Sequence, residues 1–514
     1  MSKAGSNLKL NYVYVFLTAA LLYVATCAPG VVWQDSGVIQ YRVFHNDIEG
    51  RLGLALSHPL YYLLAIGVKN IPYGDVACKV NMMTAVISAL AVANLYLLLR
   101  LWLGGNFAAL LGAASLALSH TFWRHSTIPE TYGLVVALLL FELIMLLQYA
   151  KTSRTGYLYL LAFINGLAIA NHMLASIAFV CYVVLAVFLL VKGQIKFHNL
   201  LLMAVLWIVG ALPYEYLIVK NYMLSHDLSG TLASAAFGER WRGDVLNTTL
   251  SVRIVKENFM YILLNFPTPN ILLSIIGVWS LYKFSPKRWF ANIILALLIL
   301  YFAFAFRYTV PDRYAFFIPF YCIVSLLIGL GAYKYITGTG GITTNVFVIF
   351  CLLVVPVYYM APEIADKLDI KIGSGRKIEY RDNKTYFLWP WKTGYKGAER
   401  FAVEALFSVQ TPAVIYADAT TAPPLLYAQE AMKVRQASDI KIISSIGSSE
   451  NSPEFDKQTI KKLLSERTVY VVTPAKGYCP DFLLRGYDFE PAGILWKVVE
   501  KKYNTLRATN SDTG

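Results

Sequence analysis

The chain has 514 residues, of which 57% are hydrophobic and only 15% charged, against about 25% charged in ordinary soluble domains. Such a composition excludes a soluble enzyme, a disordered chain and a coiled coil. The formal charge of +14 is unevenly spread: residues 1–361 hold 23 of the 45 basic and 12 of the 31 acidic side chains, so most of the excess lies in the hydrophobic part. Basic loops between apolar spans are a product of membrane topology, and the charge therefore reports orientation rather than a nucleic-acid partner.

A bilayer span needs about 20 mostly apolar residues. Candidates fall at 12–32, 79–99, 103–120, 131–150, 157–171, 173–191, 200–218, 259–282, 289–306, 314–333 and 343–360, which predicts an α-helical polytopic protein with about eleven spans. Lys3 and Lys9 ahead of the first apolar stretch resemble a signal peptide, but the many spans that follow favour a retained anchor. The 35-residue run Tyr157–Val191 is too long for one straight helix across a bilayer at about 1.5 Å per residue, so it is read as a helical hairpin broken at Asn171-His172.

With the N-terminus inside, Lys3, Lys9, Arg100, Lys151, Arg154, Lys192, Lys196, Lys283, Lys287, Arg288 and Lys334 all fall on the cytoplasmic face, with no acidic residue among them. The opposite face receives two long loops, 33–78 and 219–258, and nearly all the acids and histidines. The chemistry is therefore expected outside, with residues 1–361 as the membrane domain. Residues 362–514 are expected to form an extracytoplasmic α/β domain, because strand-like runs at Ala413–Ala417, Lys441–Ser444, Thr468–Thr473 and Gly493–Val499 alternate with helical stretches. The six cysteines show no C-x-x-C and no Cys/His ligand spacing, which points to neither a disulfide framework nor structural zinc.

Asp35, in Trp33-Gln34-Asp35-Ser36-Gly37 just after the first span, sits where a carboxylate could meet a hydroxyl from water and a lipid-borne substrate from the side. It suits a general base, and equally a helix cap. Arg124, His125 and Glu130 stand close together in the outer loop Ser119–Gly133. They could hold a phosphate or form a solvated loop with an N-terminal acid. His172 lies in an apolar run, where polar groups are costly, although a histidine at a helix break can simply satisfy backbone groups. Asp312-Arg313 reads as a salt bridge or a phosphate clamp, and His58, Arg240 and Arg242 are possible loop contacts. Asn247-Thr248-Thr249 and Asn383-Lys384-Thr385 match the short N-glycosylation pattern. No phosphate loop, zincin motif or nucleophile elbow is present, which argues against a nucleotide-driven pump or a serine hydrolase.

Several short motifs in order resemble the C superfamily of integral membrane glycosyltransferases (GT-C). More specifically they are similar to a bacterial family related to the animal transmembrane O-mannosyltransferase that acts on receptor IPT domains. They are Gln34-Asp35-Ser36-Gly37, His58-Pro59-Leu60-Tyr61, Lys79-Val80-Asn81, Phe122-Trp123, Glu130-Thr131-Tyr132-Gly133-Leu134, Gly166-Leu167, Asn171-His172, Leu212-Pro213-Tyr214, and Asp312 with Phe317-Ile318-Pro319. Gln34 and Val38 stand where the family has Gly and Glu. The resemblance implies inverting transfer of a sugar, possibly mannose, from a polyprenyl-phosphate-linked donor to a hydroxyl of a protein acceptor on the non-cytoplasmic face. In that scheme Asp35 is the base, Arg124 and Arg313 hold the leaving phosphate, oriented by Glu130 and Asp312, and His125 and His172 line the donor site. A lipid or polysaccharide acceptor is the nearest alternative, and a lipid or glycan transporter the alternative of another class. No cofactor is firmly implied, a divalent metal is left open, and membrane lipids are partners.

Overall fold

In a computed structural model, residues 3–238, 243, 249, 251–310, 312–336, 342–373, 375–435, 438–444 and 457–501 are described. They form two compact units. One comprises Met1–Pro29, His45–Gly375 and Asn383–Tyr395; the other Gly30–Phe44, Arg376–Asp382 and Lys396–Gly514. Each unit takes in parts of the chain that are far apart in sequence.

The first unit is helical. Among the described residues seven helices are long and apolar enough to cross a membrane: Asn7–Thr26, Val76–Leu103, Tyr132–Thr152, Phe197–Ser225, Arg288–Arg307, Arg313–Tyr335 and Thr344–Lys367. Several expected spans take other forms. The run 103–120 is a 12-residue helix, Asn106–Ala117, followed by a separate helix His120–Ser126. The run 259–282 is two helices bent by 102°. Pro267 and Pro269 lie at the bend and remove two backbone donors that a continuous helix needs. The long run 157–191 divides into Gly156–Asn171 and Ala175–Val191, with His172 extended between them at φ −162° and ψ 136°.

Close helix contacts rest on small residues. A Cβ on Gly166 would come within 2.1 Å of the Trp207 carbonyl oxygen, and one on Gly210 within 2.2 Å of that of Phe163. The helices Gly156–Asn171 and Phe197–Ser225 therefore approach backbone to backbone, as membrane helices do where small side chains permit it. The buried Glu142 carboxylate accepts from Asn165 Nδ2 at 3.1 Å and Tyr182 Oη at 3.0 Å, and Trp207 Nε1 donates to Asn165 Oδ1 at 3.0 Å. These bonds tie four helices through one satisfied polar cluster, the condition for keeping such groups at membrane depth.

The second unit is built on a five-stranded sheet of order β2-β1-β3-β5-β4, with β1 Ala413–Ala417, β2 Ile440–Ser444, β3 Thr468–Val471, β4 Tyr487–Ala492 and β5 Leu495–Glu500. β1 pairs in parallel with both β2 and β3, and β5 runs antiparallel to β3 and β4. The sequence signals the parallel strands, but it does not mark β4, whose Glu490 and Pro491 are poor strand formers. The helix Gln34–Phe44 belongs to this unit. Gln34 N donates to the Thr420 carbonyl at 3.3 Å and Tyr41 Oη to Glu430 Oε1 at 2.9 Å, while the Phe44 and Tyr427 rings meet at 6.1 Å.

Candidate active site

In the membrane unit, Ser119 to Thr131 form a short helix and turn whose side chains are almost all buried. Arg124, 3% exposed, lies among rings: its guanidinium carbon is 5.0 Å from the Phe387 centroid, 5.5 Å from Tyr386 and 5.6 Å from Tyr314. One Nη donates to Tyr314 Oη at 3.0 Å. Arg124 Nε is buried with no hydrogen-bond partner among the described residues. Such an orphaned donor is costly unless something not yet present accepts from it.

Lys392, equally buried at 3% exposure, donates from Nζ to the Trp389 carbonyl at 2.6 Å and sits 5.2 Å from the Tyr386 ring. Burial, and the positive charge of Arg124, push its amine well below the usual lysine range. Neither cation forms an ion pair among the described residues. Lys392 reaches this aromatic cluster because residues 383–395, past the last long helix, return to the membrane unit: Lys392 N donates to the Thr26 carbonyl at 2.7 Å, Thr127 Oγ1 to that of Pro390 at 2.9 Å and His120 Nε2 to that of Leu388 at 2.9 Å. Sequence analysis missed Lys392. Its signal is the aromatic cluster Trp389-Pro390-Trp391 beside a lysine in a polar tail.

Four histidine and tyrosine rings continue in a row from this cluster. The His125 and Tyr132 centroids are 5.5 Å apart, Tyr132 and His172 5.4 Å, and His172 and His58 are stacked at 4.7 Å. His125 Nδ1 donates to the Thr121 carbonyl at 2.7 Å and His58 Nδ1 to that of Asn171 at 2.8 Å, while Leu174 N donates to His172 Nδ1 at 3.1 Å. Burial, and Arg124 beside it, hold His125 well below the ordinary histidine range, so it is a neutral ring.

Arg313, also buried, pairs through Nη2 with Glu257 on the helix Val252–Asn265. Its guanidinium lies 5.6 Å from the Tyr261 ring, which in turn meets Tyr314 at 6.1 Å. Its carboxylate partner is thus Glu257, which sequence analysis did not select, while Asp312 is the N-cap residue of the short 3-10 turn Arg313–Phe317. Glu130 is half-buried, and its charge reaches Arg124 and Tyr61. Arg240 and Arg242, with the sequon residues Asn247 and Thr248, lie outside the described residues. Among the described residues no three His, Cys, Asp or Glu side chains gather to hold a metal.

Asp35 belongs to the second unit. It occupies the first turn of Gln34–Phe44. Gln34 ahead of it is left-handed at φ 58°, and the Trp33 ring packs 5.2 Å from Phe401. The residue as a whole is exposed, yet surrounding protein strips enough water from its carboxyl group to raise the pKa above the ordinary aspartate range. A carboxylate with a raised pKa is suited to accept a proton.

Residues 56–196 match the family model of the protein O-mannosyl-transferase TMEM260 N-terminal domain. The protein O-mannosyl-transferase TMEM260 of Mus musculus is 25% identical over 217 residues, an alignment that takes in 41% of this chain and 30% of the mouse protein. Among solved structures, ArnT from Cupriavidus metallidurans bound to undecaprenyl phosphate superposes with a TM-score of 0.61 at 12% identity, covering 95% of this chain and 98% of that one. Its apo form gives 0.60 at 13% identity, with 97% and 98% covered. Residues 56–196 thus resemble the N-terminal domain of the TMEM260 family, and the fold of this multi-pass membrane protein is that of ArnT over nearly the whole chain.

Proposed function

We propose that the protein is a glycosyltransferase that moves a sugar from a polyprenyl-phosphate-linked donor to a hydroxyl of a protein acceptor on the non-cytoplasmic face, with inversion at the anomeric carbon. The observation that carries this reading is the buried aromatic cluster around Arg124 and Lys392. It holds a buried guanidinium and a buried amine, neither in an ion pair among the described residues, and an unpartnered guanidinium N–H. A phosphate supplies the missing acceptors and charge. That an ArnT of the same fold is known with undecaprenyl phosphate bound supports a lipid-borne phosphate, and the TMEM260 match supports a mannosyl group and a protein acceptor.

In the reaction the acceptor hydroxyl oxygen attacks the anomeric carbon, the bond from that carbon to the phosphate oxygen breaks, and Asp35 takes the hydroxyl proton. The electron pair leaves on the lipid phosphate. Fixed cations there stabilise charge that grows only in the transition state. His125 and His172, kept neutral or tied to backbone, line the path of the sugar, and Arg313 with Glu257 buttresses Tyr314 through Tyr261. The test is release of polyprenyl phosphate from labelled polyprenyl-phosphate mannose by purified protein. Release that rises when protein acceptor is added, with label on the acceptor, is expected. Label moved across a vesicle membrane with the donor intact would make the protein a transporter instead.

A further inference from the structure

The second unit contains a cleft of about 370 Å³ that no step above uses. It opens where the sheet splays. β3 and β5 pair only as far as Val471 opposite Trp496, after which Val472 to Pro474 diverge from the turn Gly493-Ile494. Pro474 has no N–H with which to continue the ladder. The β4–β5 loop has two residues, with Gly493 at φ 64°; such loops ordinarily carry polar residues or glycine, yet here the second is Ile494. Trp496 is 37% exposed. Phe401, Pro474, Pro491, Ile494 and Trp496 thus give the cleft an apolar lining, with Thr473 among the few hydrogen-bonding side chains in the wall. Lys377 and Glu379, 3.7 Å apart, also line it.

Two features join this cleft to the helix that carries Asp35. Phe401 packs on Trp33, two residues before the carboxylate. The turn after Glu379 is closed by a backbone bridge between Ile378 and Arg381, and Arg381 Nη2 reaches Gln34 Oε1 at 3.4 Å. The hydrogen-bonding side chains Lys377, Glu379 and Thr473 are outnumbered in this lining by apolar ones. A volume of a few hundred Å³ with an exposed tryptophan suits a large apolar side chain of a peptide, with a polar rim for its backbone.

We infer that the cleft holds an extended segment of the protein acceptor, inserting one large apolar residue near the hydroxyl to be glycosylated. The inference rests on the transferase reading for its biological meaning, but its binding step can be measured alone. The acceptor is then held by the same compact unit as its base, so that docking and deprotonation share one frame.

The probe is a set of labelled octapeptides with one threonine and a single leucine at varied positions in a glycine–serine background. Each is paired with a twin in which serine replaces the leucine, and binding is measured to the full-length protein in detergent. The leucine peptides should bind with a marked preference for certain positions. Trp496→Ala and Ile494→Asp should weaken that binding at least tenfold, and Trp496→Phe should restore it, with circular dichroism confirming that each variant is folded. Equal binding of leucine and serine twins, variants that bind as the wild type does, or displacement of the peptide by a mannan oligosaccharide would overturn the inference. Wild-type release of polyprenyl phosphate to water separates the two readings. Release without leucine-dependent binding removes the cleft and keeps the transferase, whereas leucine-dependent binding without any release does the reverse.

Discussion

Asp35 and Lys392 make opposite demands on pH. A base must be deprotonated, so transfer rises with pH through the Asp35 pKa. Because surrounding protein raises that pKa, the acid limb of kcat/KM should lie above the range of an ordinary aspartate, and Asp35→Asn should cost about 10²- to 10⁴-fold in rate. A limb at ordinary aspartate pH, or an active Asp35→Asn, would remove Asp35 from the role. Lys392 is held toward its neutral form by burial and by Arg124. A phosphate beside it favours the charged form, so donor binding should take up a proton and weaken as pH rises. Titration calorimetry in buffers of different ionisation enthalpy measures this uptake directly. Hydrogen bonds to charged groups are worth about 1.5–3 kcal/mol, so Lys392→Met should lower donor affinity by about ten- to a hundredfold and flatten its pH dependence.

At the scale of elements, hydropathy reveals where helices are but not how a run is divided. Tyr157–Val191 breaks at His172 as its length requires, whereas 259–282 bends at Pro267 and Pro269. Hydropathy averages over about twenty residues and passes over two prolines that decide the backbone. The contact of Gly156–Asn171 with Phe197–Ser225 depends on Gly166 and Gly210, which appear in sequence only as two small residues. A leucine at Gly210 would have to displace the Phe163 backbone. Gly210→Leu should therefore lower the thermal unfolding midpoint in detergent by several degrees and reduce folded yield, while Leu201→Ala, on an exposed face of the same helix, should leave the midpoint within about a degree, since substitutions away from packed features usually change stability little.

At the scale of the molecule, the second unit is fastened by a buried ion pair that joins distant segments. Arg376 donates to both Asp418 oxygens at 2.7 Å and stacks 3.9 Å from Tyr478. Burial alone would raise the Asp418 pKa; Arg376, with the Thr420 N–H and the Thr421 hydroxyl, outweighs it and holds the carboxyl below its ordinary value. The stabilisation it gives is complete above the pKa of an unfolded aspartate and is lost as pH falls through the lower folded value. Asp418→Ala leaves the guanidinium buried and unpaired, a change that costs about 3–5 kcal/mol. Limited proteolysis of the 396–501 region should accelerate accordingly, and an unchanged digestion rate would show the pair to be dispensable.

The amino-acid sequence by itself determined the membrane class, where most helices of the first 361 residues lie, and the α/β character of the tail. Each depends on composition or periodicity over ten to twenty neighbouring residues, which burial in lipid or in a sheet imposes directly. It also singled out Arg124, His125, His172 and His58, whose rings and charges stand in one row. Only the tertiary structure decided that Lys392 joins Arg124, that Glu257 pairs with Arg313, and that the helix of Asp35 is part of the second unit. Those associations join residues as far apart as Gln34 and Thr420. They are set by which buried charges and rings can be satisfied together after the chain has folded, and no local pattern records that choice.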